Sequence, residues 1–125
     1  MPNIYKTKGF ARYARREGLD DADLCEAVAR ADRGIIDADL GQGVIKQRVA
    51  RPGQGRSAGF RVVVFYRLGG RVIFVDGFAK NEKDNINARE LADFHILAGD
   101  FLTFSSGYVQ TLLDSGKWIE VMCNA

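Results

Sequence analysis

The sequence is short of the residues on which several protein classes depend. Its 125 residues hold two cysteines, Cys25 and Cys123, placed 98 positions apart with neither a CxxC pair nor a metal-binding spacing. Both are expected to be reduced, structural thiols. His95 is the only histidine, so a site built on two histidines is excluded. It sits beside Leu91 and Phe94 at helical spacing and reads as a packed or half-exposed helix residue. No apolar run approaches the ~20 residues that span a bilayer. The polar N-terminus MPNIYKTKGFARYARREG has no apolar middle of the signal-peptide kind. A cytoplasmic location is the expectation. The most informative absence is of acids: the 36 residues between Asp39 and Asp76 contain none.

Those 36 residues carry seven cations: Lys46, Arg48, Arg51, Arg56, Arg61, Arg67 and Arg71. The rest of the chain has 11 basic and 16 acidic residues, a net of −5, so the overall +2 conceals charge sorted along the sequence. A basic strip on a near-neutral chain points to a phosphate-bearing partner. Length fits one domain over residues 1–125, large enough to bury a core.

Periodicity sets out the elements. Ile4 to Lys6 reads as a short strand, and Lys8 to Glu17 as a helix closed by Gly18. Ala22 to Arg33 is an amphipathic helix capped by Asp20 or Asp21 and stopped by Gly34. Three strands follow over Val44–Arg51, Phe60–Leu68 and Arg71–Phe78. A glycine-rich turn, Pro52 to Gly59, joins the first two, and the hairpin signal Gly69-Gly70 joins the others. Asn87, with Glu90 as capping-box partner, opens a helix to about Leu102. Ser105 or Ser106 starts a shorter one, and Trp118 to Met122 ends as a strand. The fold class is α+β: a small antiparallel sheet packed against an N-terminal helical hairpin and a C-terminal helix.

The loop Gly53-Gln54-Gly55-Arg56-Ser57 has neither the spacing nor the helical exit of a nucleotide cradle, and it feeds a strand. Period-two alternation puts Lys46 and Arg48 on one face of their strand, and Arg61, Val63, Phe65 and Arg67 on one face of the next. Phe78 and Lys80 share a face at the end of the third. If these faces coincide, cations and rings lie together, which suits RNA: cations hold phosphates and a ring stacks on an unpaired base. A solvated sheet face with arginines for solubility is the plainer reading, weakened by seven cations without an acid.

GVIKQRVARPGQGRSAGFRVVVFYR, followed at a fixed distance by VDGFAKNEKDNI, resembles the RelE/HigB-like toxins of bacterial type II toxin–antitoxin modules. The likeness is closest to the HigB-like branch, with the pattern LGxGxxKxRxAxxGxGxSxGxR and then GFxKNExxN, and runs from about Phe10 to Glu120. It implies a small antiparallel sheet with helices on one side; no cofactor is expected, and the cation set needs no metal, since the sequence offers no carboxylate cluster to hold one. It further implies an mRNA interferase that cuts message on the ribosome and is silenced by a cognate antitoxin, often a helix-turn-helix protein. Carried over, Lys46, Arg48, Arg61 and Lys80 are the candidate catalytic set. Arg51, Arg56 and Arg67, with Phe65 and Phe78, are candidates for holding RNA. The catalytic tyrosine of some RelE-type enzymes has no clear counterpart, with Tyr66 and Tyr108 as its possible stand-ins.

Cleavage by a 2′-OH needs a base, stabilisation of the phosphorane and an acid for the leaving 5′-oxygen. The strip contains no carboxylate and no histidine, and arginine stays charged. Lys46 is therefore the candidate base, Arg48 and Arg61 the phosphate ligands, and Lys80 the candidate acid or a further phosphate ligand. A ParE-like inhibitor of DNA gyrase on the same fold, a non-catalytic nucleic-acid-binding module and an inactive toxin remain as alternatives. The polar segment Asn81 to Asn85 is read as loop structure and helix capping, with antitoxin contact as the other reading.

Overall fold

A computed structural model of the chain describes residues 3–51, 55–79 and 85–123. Its elements run β1 (Asn3–Thr7), α1 (Lys8–Glu17), α2 (Asp21–Asp32), β2 (Ala38–Asp39), β3 (Val44–Arg51), β4 (Gly55–Leu68), β5 (Arg71–Ala79), α3 (Ala88–Leu102), α4 (Ser106–Asp114) and β6 (Trp118–Glu120). The six strands form one sheet in the order β2-β3-β4-β5-β1-β6.

Local chemistry starts and stops these elements. Thr7 caps α1 by accepting from the Phe10 N–H, and Gly18 closes it in the left-handed region at φ 75°. Asp20 and Asp23 form a capping box on α2, and Asn87 and Glu90 form the expected one on α3. Leu68 pairs with Arg71 across Gly69 and Gly70, whose φ values of 59° and 82° are those of a type I′ turn.

β3, β4 and β5 make the expected antiparallel meander. Two departures concern its edges. β1 inserts beside β5 in parallel, and β6 pairs antiparallel with β1. β4 also begins earlier than the expected Phe60: Gly55 already pairs with Arg51, and Gly55 to Gly59 belong to β4.

The strands are apolar on both faces, so the sheet is covered on both. On one, Ile45, Val49, Phe60, Val62, Val64 and Phe74 pack under α1 and α2. On the other, Val44, Val63, Phe65, Ile73 and Phe78 join Ala98 and Phe101 of α3, Val109 and Leu112 of α4, and Trp118. This corrects the one-sided arrangement that the family resemblance implied.

The cysteines are corrected too. Cys25 and Cys123 are joined in a disulfide, with Cα atoms 5.7 Å apart. Two bonds seat the C-terminal segment: Val121 N–H donates to the Ile4 carbonyl of β1, and Met122 N–H to Asp21 Oδ2 of α2 at 2.9 Å. Residues 98 apart in sequence thereby become neighbours, which spacing along the chain does not reveal. Among the described residues no helix is long and apolar enough to cross a membrane.

Candidate functional site

The site is built by the β3–β4 register. Lys46 stands opposite Val63, and Arg48 opposite Arg61. Directly opposed residues project to the same face, so Lys46, Arg48 and Arg61 share the α3 side of the sheet. They lie past the end that α3 covers, since its rings pack on Phe65. The alternation read from the sequence therefore placed these three correctly.

The three cations differ in environment. Arg48 is exposed, and Lys46 is half-buried with Nζ donating to Asn85 Oδ1 at 3.1 Å. Arg61 is only 6% exposed. Its Nη1 is buried and has no hydrogen-bond partner among the described residues. Its cross-strand neighbour toward β3 is another cation, and toward β5 it is the ring of Phe78.

Arg30 provides the contrast. It is 3% exposed and sits on the other side of the sheet. Its Nε lies 2.9 Å from Glu26 Oε2, its Nη1 lies 3.3 Å from Asp37 Oδ2, and its Nη2 donates to the Arg48 carbonyl. Asp37 Oδ2 also accepts the Arg48 N–H at 2.6 Å. β2 pairs with β3 only at Ala38 and Asp39, so Asp37 and Arg30 satisfy the outward backbone groups of Arg48. Buried Gln47 completes this support, bonding the Ala27 and Ile35 carbonyls and the Asp37 N–H. A buried arginine whose role is structural is saturated with acceptors. Arg61 is not.

Other candidates fall elsewhere. Phe65 is fully buried, with its ring edge-on to Phe94 and Phe101, and Phe78 is 6% exposed in the same core. Neither offers a ring face to a base: rings of α3 pack on Phe65, and Phe78 is buried in the same cluster. Arg67 departs from the alternation. It has φ 54°, where β4 carries an extra residue against β5, and its guanidinium lies over the Tyr66 ring. Six residues of strand put it roughly 20 Å from Arg61. The side chains of Arg51 and Arg56, and all of Lys80 and residues 81–84, lie outside the described residues.

Neither tyrosine joins Lys46, Arg48 and Arg61. Tyr66 packs on the α2 face and donates its hydroxyl to Asp32. Burial and that bond push its phenol above its ordinary value. Tyr108 is on α4, edge-on to Phe104. His95 is half-buried, with Nε2 2.9 Å from the Leu40 carbonyl oxygen, the packed helix histidine expected.

Two residues at the site escaped the sequence reading. Asn85 reads as loop structure in the sequence, yet its side chain holds Lys46. Asp76 bounds the acid-free strip and lies opposite Val63, on the cationic face. Strict alternation from Ile73 puts it on the other face, and only a bulge reverses that.

A sheet flanked by helices on both sides, with Lys46, Arg48 and Arg61 on one face of its central hairpin, defines a small α+β protein with a cationic face. The family model described as the RelE toxin of the RelE/RelB toxin–antitoxin system matches residues 2–121. The chain belongs to this family and is a toxin of a toxin–antitoxin system, with an antitoxin as its partner. Neither the curated proteins nor the solved structures give a match to the chain.

Proposed function

We propose that this toxin is an mRNA interferase, an endoribonuclease that cuts message by 2′-OH attack and so stops translation. The reading rests on one observation: a buried guanidinium, Arg61, with Nη1 unpartnered, stands across the ladder from a second guanidinium, Arg48. A buried cation lacking an acceptor is costly in an empty site and favourable once an anion arrives. Two guanidinium groups on one face match the oxygens of a phosphodiester, ground state and phosphorane alike. Lys46, one row along the same face, supplies a group that can move a proton.

The ribosome is the expected place of cleavage. The described face offers cations but no open ring on which to stack and orient a base, so alignment of the substrate falls to a partner. Such positioning is worth several kcal/mol. The whole chain, 1–125, is read as one toxin domain of the HigB-like branch, acting in the cytoplasm and neutralised by a helix-turn-helix antitoxin. It requires no cofactor.

The test is expression of the toxin and its Arg61→Ala and Lys46→Ala variants, with growth and primer extension on a defined transcript as readouts. The expected result is codon-linked breaks with the wild type and their loss in both variants. DNA damage without RNA breaks, or undiminished cleavage by both variants, overturns the reading.

A further inference from the structure

Strand β5 reads Arg71-Val-Ile-Phe-Val-Asp76-Gly-Phe-Ala79. Ile73 lies opposite Phe65 on the α3 side, and Phe74 lies opposite Val64 on the α2 side. Alternation from these two sends Val75, Gly77 and Ala79 to the α3 side, and Asp76 and Phe78 to the α2 side. The ladder does the reverse. Val64 pairs with Phe74 but Val63 pairs with Asp76, so Val75 is an extra residue and β5 bulges there. Past the bulge the phase is inverted. Phe78 lies opposite Arg61 and Asp76 opposite Val63, both on the cationic face. Gly77 then turns toward α1, where a Cβ would come within 2.5 Å of the Tyr13 ring. A bulge re-aims side chains, and bulges are found beside active sites for that reason.

The result is a row across three strands: Lys46 of β3, Val63 of β4 and Asp76 of β5. With strands about 4.8 Å apart, the outer two α-carbons are about 10 Å apart. Val63 is a fully buried floor between them, and Arg48 and Arg61 form the adjoining row. A carboxylate and an ammonium thus flank the place where the arginines would hold a phosphate. Asp76 is half-buried, with Oδ1 accepting the Gly77 N–H at 2.9 Å, a bond that orients the carboxylate.

We propose that Asp76 is the general base of the cleavage and Lys46 its general acid; this rests on the nuclease reading above. In-line displacement puts the attacking 2′-oxygen and the leaving 5′-oxygen on opposite sides of phosphorus, which calls for two proton-transfer groups on opposite flanks. Asp76 takes the proton of the 2′-OH as the O2′–P bond forms. Lys46, held by Asn85, gives a proton to O5′ as the P–O5′ bond breaks. The products are a 2′,3′-cyclic phosphate and a 5′-hydroxyl, with one proton taken up and one released. An ionised carboxylate accepts a proton as it stands, and an ammonium donates one as it stands.

The experiment compares two forms of one mRNA on programmed ribosomes: a normal phosphodiester at the cleaved position, and one whose 5′-bridging oxygen is sulfur. A thiolate leaves without a proton, so the sulfur substrate needs a base but no acid. Asp76→Asn keeps the shape and an acceptor for Gly77 and is expected to cut both substrates on the order of 100-fold slower, the scale of general-base catalysis. Asp76→Glu restores a carboxylate and recovers part of the rate. Lys46→Ala is slow on the normal substrate and recovers on the sulfur one. Wild-type cleavage with unchanged rates for Asp76→Asn overturns this assignment and leaves the nuclease reading standing, as does rescue of Asp76→Asn by sulfur. A wild type that cuts neither substrate overturns both.

Discussion

Arg61 and Arg48 stand directly opposite each other in the β3–β4 ladder, and the inner of the two is buried with Nη1 unpaired. Like charges in this position destabilise a sheet, and a buried cation short of acceptors adds to the cost. On the proposed nuclease reading, the arrangement serves a ligand at the expense of the fold. Arg61→Met, which fills similar volume without charge, is predicted to stabilise the free protein by about 1–3 kcal/mol while abolishing toxicity. Thermal unfolding checks the first part, with a rise in Tm of several degrees for a domain of this size. A Tm at or below that of the wild type would show that Arg61 is structural, as Arg30 is.

Asp37 works from the other side of the same strand. Its Oδ2 receives both the Arg48 N–H at 2.6 Å and Arg30 Nη1 at 3.3 Å. Asp37→Ala leaves a 3%-exposed arginine with Glu26 as its remaining carboxylate and an edge N–H with no side-chain acceptor. The predicted loss is about 2–4 kcal/mol, read as a lower urea midpoint. Asp37→Asn, which keeps an acceptor, loses less. If the two variants unfold at the same midpoint, the loss they share, the charge, is what Asp37 contributes, and the acceptor alone adds nothing.

Gly77→Ala tests the bulge. The added Cβ meets Tyr13 Cε2 at 2.5 Å, closer than packed carbons allow, so the ring or the strand must shift. The predicted cost is about 1–3 kcal/mol. Because Gly77 neighbours Asp76, cleavage is expected to fall further than stability alone accounts for. Tyr13→Leu in the same chain makes room and is expected to restore both. Activity that stays low after stability recovers would point to the glycine backbone itself.

Much of this architecture was legible because it is local. The capping box of Asn87 and Glu90, the Gly69-Gly70 hairpin and the period-two placement of Lys46, Arg48 and Arg61 each follow from neighbours a few positions apart. What escaped depends on distant chain or on a single inserted residue. Val75 looks like any strand valine, yet as the extra residue of a bulge it moves Asp76 and Phe78 across the sheet. Phe65 reads as an open ring because the sequence does not say that α3 returns to that face. The two-residue β2 and the parallel seat of β1 are fixed by partners and carry no pattern of their own.

The disulfide belongs with these distant effects and has its own test. Cys25 and Cys123 close a loop of nearly the whole chain, and a loop of about 100 residues is worth up to about 4.7 kcal/mol by chain entropy. Oxidised wild type is predicted to unfold at higher urea than reduced wild type, with Cys25→Ser matching the reduced form. The bridge lies on the α2 side, across the sheet from the cations, so RNA cleavage by Cys25→Ser should be undiminished under conditions where it is folded. Equal midpoints with and without reductant would show that the bridge adds no stability.

Asp21 gives the fold an acid limit at the same junction. Burial pushes its carboxyl up, but the Lys6 ammonium at 2.8 Å and the Met122 N–H at 2.9 Å more than offset this and hold it below the ordinary value of 3.8. A carboxylate with a lowered value in the folded state contributes stability that is complete above its unfolded value and fades as pH falls through the folded one. The pair is part-exposed, so its worth is about 1 kcal/mol. Asp21→Asn is therefore predicted to be less stable than the wild type by about that amount at pH 6–7, with the gap closing as the pH drops below 3.8. Urea unfolding at a series of pH values reads the gap directly. A difference that persists undiminished well below that pH would assign Asp21's contribution to its hydrogen-bonding shape rather than to its charge.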